Sequence, residues 1–208
     1  GSLGHGLGEV PDMWIVKNRD YAVSWAVGFS DSSILGGTSN YLSLNTTQSV
    51  LTYNNIWGSS PVNSSVITMA GDRSVNISGD DYVAYFFKAK QGYSKFGKYV
   101  GNGNSNGPFV YTGFKPAFVM TKSTSTSSWS MYDHKRLGYN PIDVWLRANG
   151  SDAESTSAIA GDDIDLYSNG FKLRNPNGTL NASGTTYIYM AFAENPFVTS
   201  TGVPTTAR

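Results

Sequence analysis

The chain has 208 residues, a formal net charge of zero and a pI near 6.9, with 15 basic and 15 acidic side chains. That balance gives no electrostatic reason to expect nucleic acid or an anionic membrane as partner. Charged residues make up 14% of the chain and aromatics 13%, against a usual charged fraction of about 25%, which indicates folded β structure and not disorder. Cysteine is absent, so disulfides, thiol catalysis and zinc–thiolate sites are excluded. No run approaches the 18 or so apolar residues of a membrane helix, and GSLGHGLGE lacks the basic, apolar, small order of a signal peptide. Neither membrane insertion nor a leader is expected.

In chain order, GHGLGEVP is a glycine-punctuated turn that leads into a predicted strand, Met13-Trp14-Ile15-Val16-Lys17. Ser24-Trp25-Ala26-Val27 and Tyr41-Leu42-Ser43-Leu44 are the next strands. Ser/Thr/Asn-rich segments, read as loops, separate them from the stretch 74–89, SVNISGDDYVAYFFKA. This stretch recurs at 179–194 as TLNASGTTYIYMAFAE, where Asn76 maps to Asn181, Gly79 to Gly184, Tyr82 to Tyr187 and Phe87 to Phe192, always 105 residues on. One face reads Tyr82, Ala84, Phe86 in the first copy and Tyr187, Tyr189, Ala191 in the second, so bulk moves along the face while its total stays similar. Apolar residues at both parities predict a strand covered on both sides.

Other segments echo with nearly the same period. Pro11 and Met13–Lys17 match Pro116 and Phe118-Val119-Met120-Thr121-Lys122, Ser24–Val27 matches Ser128-Trp129-Ser130-Met131, and Tyr41–Leu44 matches Val144-Trp145-Leu146-Arg147. The predicted fold is all-β: two tandem antiparallel β-sandwich repeats at a 105-residue offset, each of about seven strands, with residues 1–92 and 93–197 as domains and 198–208 as a tail. Residues 95–113, a predicted strand pair, would have a first-copy counterpart that begins ahead of Gly1. The first domain is therefore expected to lack its opening strand, leaving a neighbour unpaired, and the chain to be a piece of a longer polypeptide.

The segments HGLGEVPDMWIVKN, VAYFFKAKQGYSKFGKYVGNG, GPFVYTGFKPAFVMTK, WSMYDHKRLGYN, DDIDLYSNGFKLRN and ASGTTYIYMAFAENPF together resemble a repeated β-domain of tail and other virion proteins of tailed bacteriophages. That domain is sometimes grouped with SPRY-like or concanavalin-like lectin sandwiches, and the closing GVPTTAR resembles the C-termini of such proteins. The resemblance covers nearly the whole chain and carries no catalytic signature. It implies a jelly-roll or lectin-like sandwich in a virion appendage that binds a host surface glycan or receptor without catalysis, next to other tail subunits and as a homo-oligomer, most simply a trimer. A purely structural spacer or decoration domain is the second reading.

The chemistry legible in the residues is sparse. His134 lies in Tyr132-Asp133-His134-Lys135-Arg136, but no nucleophile elbow accompanies it. A depolymerase needs two carboxylates about 5 to 9.5 Å apart, and Glu194 reads as a surface acid at a strand end. Asp162, Asp163 and Asp165 could supply oxygen ligands to Ca²⁺, without the glycine of an EF-hand loop; solvated loop acids are the plainer reading. No enzyme activity, cofactor or metal is expected. Positions where the copies diverge are free for recognition, and the loop after the shared tryptophan is GFSDSSILGGTSN in copy one but YDHKRLGYNP in copy two. Tyr132 and Tyr139 can stack on a sugar face. Asp133, His134 and Arg136 can hydrogen-bond hydroxyls, with Trp145 on the following strand. The candidate patch in copy one is Tyr53, Asn55 and Trp57.

Overall fold

The structure is a computed structural model that describes residues 1–156, 161–196 and 199; the expected tail at 198–208 otherwise lies outside the described residues. It is all-β, with antiparallel sheets throughout, and divides into two units, Gly1–Lys88 and Ala89–Arg208. No helix among the described residues is long and apolar enough to cross a membrane.

In the first unit the strands are β1 (Ser2–Gly4), β2 (Met13–Asn18), β3 (Ala26–Phe29), β4 (Asn40–Ser43), β5 (Leu51–Thr52), β6 (Trp57–Val62), β7 (Val66–Met69) and β8 (Tyr82–Phe87). Among the described residues they form a five-stranded sheet, β5-β4-β3-β2-β8, and a three-stranded one, β1-β7-β6. One core cluster draws on both: Trp14, Val16 and Ala26 from the larger sheet meet Trp57, Ile67 and Met69 from the smaller. Trp14 sits so close over Gly28 that a Cβ there would lie 2.5 Å from the indole, which is why β3 carries glycine in mid-strand. Between β3 and β4 stands a single helical turn, α1 (Ser32–Leu35), started by the Asp31 side chain accepting from the Ser33 N–H and stopped by Gly36 in the left-handed region.

The second unit contains β9 (Ser94–Val100), β10 (Phe109–Tyr111), β11 (Pro116–Ser123), β12 (Trp129–Asp133), β13 (Val144–Arg147), β14 (Ser155–Thr156), β15 (Ile164–Tyr167), β16 (Gly170–Leu173) and β17 (Thr186–Ala193). Its sheets run β14-β13-β12-β11-β17-β9 and β10-β16-β15. Residues of both again share one core, with Val119, Tyr132, Tyr187 and Tyr189 from the first meeting Val110, Leu166 and Phe171 from the second. In the β2–β8 pair Met13 faces Phe87 and Asn18 faces Tyr82, and in the β11–β17 pair Phe118 faces Phe192 and Ser123 faces Tyr187.

The stretches 74–89 and 179–194 are strand only in their second halves. Their first halves are turns, locked by matching bonds: the Tyr82 hydroxyl accepts from the Ile77 N–H and donates to the Arg73 carbonyl, and the Tyr187 hydroxyl accepts from Ala182 and donates to Gly178. Asn76 donates to the Ala70 carbonyl and Asn181 to that of Asn175. The Ser/Thr/Asn-rich segments read as loops are corrected by the structure, since they contain β6, β7, β15 and β16, the strands of both smaller sheets. Short strands with polar outer faces and tight turns carry little apolar periodicity. Burial at both parities holds for β17, where Tyr187, Ile188, Tyr189 and Met190 are all buried, but not for β8, whose Tyr85 is 47% exposed.

Candidate functional site

The loop that follows β12 is built by its own polar side chains. The Asp133 carboxylate accepts from the N–H groups of Lys135 (2.9 Å) and Arg136 (3.0 Å), which closes a turn. Arg136 folds back, its Nε 2.6 Å from Asp133 and its Nη1 3.1 Å from Glu154. Farther on, Asn140 behaves as a strand residue made of side chain: its Nδ2 donates to the Leu166 carbonyl and its Oδ1 accepts from the Leu166 N–H, both at 2.9 Å. A bridge between Ile142 and Ile164 then ties the loop to β15. The Asn140–Pro141 peptide is cis.

These ties leave a cavity of about 320 Å³ floored by Ile142 and Leu166, with Lys115, His134 and Glu194 on one wall and Lys135 and Tyr139 at its mouth. Tyr139 is 68% exposed. Glu194 is the electrostatic centre of the wall, 2.7 Å from the Lys115 ammonium and 3.5 Å from His134 Nε2. The Lys115 hydrogen bond holds its carboxyl below the usual range; partial burial opposes that shift, and the charges of Lys115, His134 and Lys135 reinforce it. His134 Nδ1 lies 3.2 Å from the Ala117 carbonyl, a distance at which it donates, and Nε2 is turned toward the Glu194 carboxylate without a hydrogen bond. The cavity thus combines an exposed phenol, an ammonium, an imidazole nitrogen and a carboxylate. A phenol can stack on an apolar face, and the charged and polar groups can hydrogen-bond hydroxyls.

Several predicted contacts fall elsewhere. Tyr132 is fully buried and donates from its hydroxyl to the Asp162 carbonyl at 2.9 Å; it is core and cannot stack on a ligand, because its inward parity on β12 points it between the sheets. Trp57 is core as well, edge-on to Trp14 at 5.5 Å with its Nε1 donating to the Asn40 carbonyl. Asp133 and Arg136 satisfy each other and the loop. Trp145 is partly buried against the core with the Arg147 guanidinium 3.6 Å over its ring. In the first unit Tyr53 is 47% exposed, and Asn55 accepts from the Gly71 N–H in an exposed turn. Of the predicted residues, His134 and Tyr139 line the cavity. Lys115, Lys135, Asn140 and Glu194 join them, and Glu194 had a signal in the sequence: its counterpart in the first copy is Ala89.

The acidic run does not converge. Asp162 pairs with Arg147 at 2.6 Å, and Asp165 with Arg174 at 3.1 Å. Among the described residues no group of three or more His, Asp or Glu is arranged to hold a metal ion.

A family model described as a domain of unknown function, DUF7483, matches residues 1–196. No curated protein and no solved structure matches the chain.

Proposed function

The chain belongs to the DUF7483 family, and we propose that it is a non-catalytic recognition module of a phage tail fibre or related virion appendage, binding a host-surface glycan through the cavity beside Tyr139. The observation that carries this reading is the cavity itself: an exposed aromatic ring at the mouth, with Lys135, His134 and Glu194 within it. A sugar ring offers an apolar face to the phenol and hydroxyls to the charged groups. The placement in a virion rests on the sequence resemblance, and oligomerisation as a trimer belongs to that reading.

The fold is read more finely in the same proposal: each unit is a lectin-like β-sandwich, and the two are tandem copies offset by 105 residues. The matched registers of the central strands support it, as do the parallel Tyr82 and Tyr187 bonds and the common order of the larger sheets from β5 to β8 and from β14 to β17.

The test is whole-cell and glycan-array binding by the 208-residue chain and by a Tyr139→Ala, Lys135→Ala double variant. Both side chains lie at the surface, so the fold should hold within about ±0.5 kcal/mol per site, while binding should weaken at least tenfold, about 1.4 kcal/mol. Unchanged binding by a folded variant would refute recognition through this cavity. Absence of any binding by the parent chain would favour the second reading, a structural virion domain.

A further inference from the structure

The two larger sheets differ at one end. In the second unit β17 is flanked on both sides, by β11 and by β9, whereas in the first unit β8 pairs with β2 and ends the sheet among the described residues. β9 is held along its whole length, from Ser94 opposite Phe192 to Val100 opposite Thr186. Its Tyr99 ring stacks on Tyr187 at 5.1 Å and stands edge-on to Phe171, and its hydroxyl donates to the Leu180 carbonyl at 2.9 Å.

The first unit has a cavity in the corresponding place. Its volume is about 240 Å³ and its lining includes Leu3, Val16, Met69, Val75, Tyr82 and Ala84. Tyr82 and Val75 stand where Tyr187 and Leu180 contact Tyr99 in the second unit. An apolar cavity of about 150 Å³ already admits a benzene ring, so this one has room for a phenol. The edge that β8 leaves open among the described residues and the ring-sized cavity lie side by side on the same strand.

We propose that the outer edge of β8 and this cavity form an acceptor for one added β-strand: an extended polypeptide segment, antiparallel to β8, whose aromatic residue enters the cavity opposite Tyr82. An unpaired edge offers backbone donors and acceptors for strand addition, and a pocket for an alternate side chain supplies selectivity. The occupant is a segment with no sheet of its own and not a second folded copy, because the strand of this chain with the right pattern, β9, is already paired along its length with β17.

The acceptor also has its own specificity. A Cβ on Gly97 would stand 3.0 Å from the Tyr189 hydroxyl, so a side chain there presses on that ring and the ring must give. The residue of the first unit in the place of Tyr189 is Ala84, which leaves space. A strand for β8 therefore takes a larger side chain two residues before its aromatic.

The experiment uses the full chain and a fluorescent peptide with the sequence of residues 93–101, YSKFGKYVG, with anisotropy giving the affinity and amide hydrogen exchange the location. Binding with protection of residues 82–87 is expected, weakened at least tenfold by Tyr99→Ala in the peptide. A Gly97→Val peptide should bind more tightly, by up to about fivefold from strand propensity; at β17 the same change would clash, so the sign separates docking on β8 from displacement of β9. In the chain, Ala84→Trp should fill the cavity and abolish binding while circular dichroism stays unchanged. No binding at 1 mM peptide, protection confined to β17, or protection of β8 by self-association of the chain without peptide would each overturn the proposal.

Discussion

Replacing Tyr132 separates core from contact surface at the position where sequence and structure disagree most. Its side chain is fully buried among Val119, Ile142, Ile164 and Tyr187, and its hydroxyl has a defined acceptor, the Asp162 carbonyl. Tyr132→Phe keeps the ring and leaves that bond unmade, a loss of about 1 kcal/mol. Tyr132→Ala removes the ring too, and large aromatic deletions cost about 3–5 kcal/mol, so about 4–6 kcal/mol in all. For a unit of this size, with a urea m-value of about 1.5 kcal/mol/M, the midpoint should fall by roughly 3–4 M for alanine and by roughly 0.7 M for phenylalanine. Equilibrium urea unfolding followed by circular dichroism measures both, fitted with separate transitions for the two units because a two-unit chain need not unfold in one step. A midpoint shift below about 0.5 M for Tyr132→Ala, together with weakened cell binding, would refute the assignment of Tyr132 to the core.

Among the described residues Arg147 is the ion-pair partner of Asp162, whose side chain is 1% exposed; Arg147→Met should cost about 3–5 kcal/mol near neutral pH by leaving that carboxylate buried and unpaired. Burial already holds the Asp162 carboxyl above its usual range in spite of the arginine, so the loss should shrink in acid as the group protonates, and urea midpoints at pH 7 and pH 4 will show whether it does. Lys122 is fully buried, donating to the carbonyls of Ser123 and Ser125, and desolvation lowers its pKa to about 8. Between pH 8 and the unfolded value near 10.5 the unfolded chain holds the extra proton, so stability should rise with pH in that window, by at most about 3 kcal/mol. The buried tyrosines act in the opposite sense: burial pushes Tyr189 up to about 12 and raises Tyr99, Tyr132 and Tyr187, so their contribution, present below pH 10, is lost above it. Stability should peak between pH 9 and 10 and the rise should vanish in Lys122→Met; a flat profile from pH 8 to 9.5 would contradict the buried ammonium. Lys115→Met should raise the Glu194 pKa toward the ordinary carboxylate value, observable by NMR titration of the side-chain carboxyl, because the hydrogen bond that depresses it is gone.

The strands that cross the middle of each larger sheet were legible in the residues. Met13–Val16 and the Tyr82 and Tyr187 stretches are apolar at successive positions and short, which reads as strand, although only β2 and β17 are covered on both faces and β8 leaves Tyr85 exposed. Their order across each sheet, with β2 and β11 lying between the strand that follows them and a strand far along the chain, came only with the structure. The smaller sheets were not legible. β6, β7, β15 and β16 have one face toward the core and one toward solvent or a turn, and over four to six residues that alternation is lost in Ser/Thr/Asn-rich sequence.

Composition and periodicity determined that this protein is β-rich, nearly uncharged overall and built on two similar stretches, because those properties depend on residues close in sequence. Tertiary structure alone decided the candidate site. Tyr132 and Tyr139 are both tyrosines of one loop region, yet one is buried and the other 68% exposed, since the first still has the alternation of β12 while the second follows a turn. Lys115, His134 and Glu194 meet although 79 residues separate the first from the last. Their approach follows from the antiparallel pairing of β11 with β12 on one side and β17 on the other, which brings the start of β11 and the ends of the other two strands to the same edge.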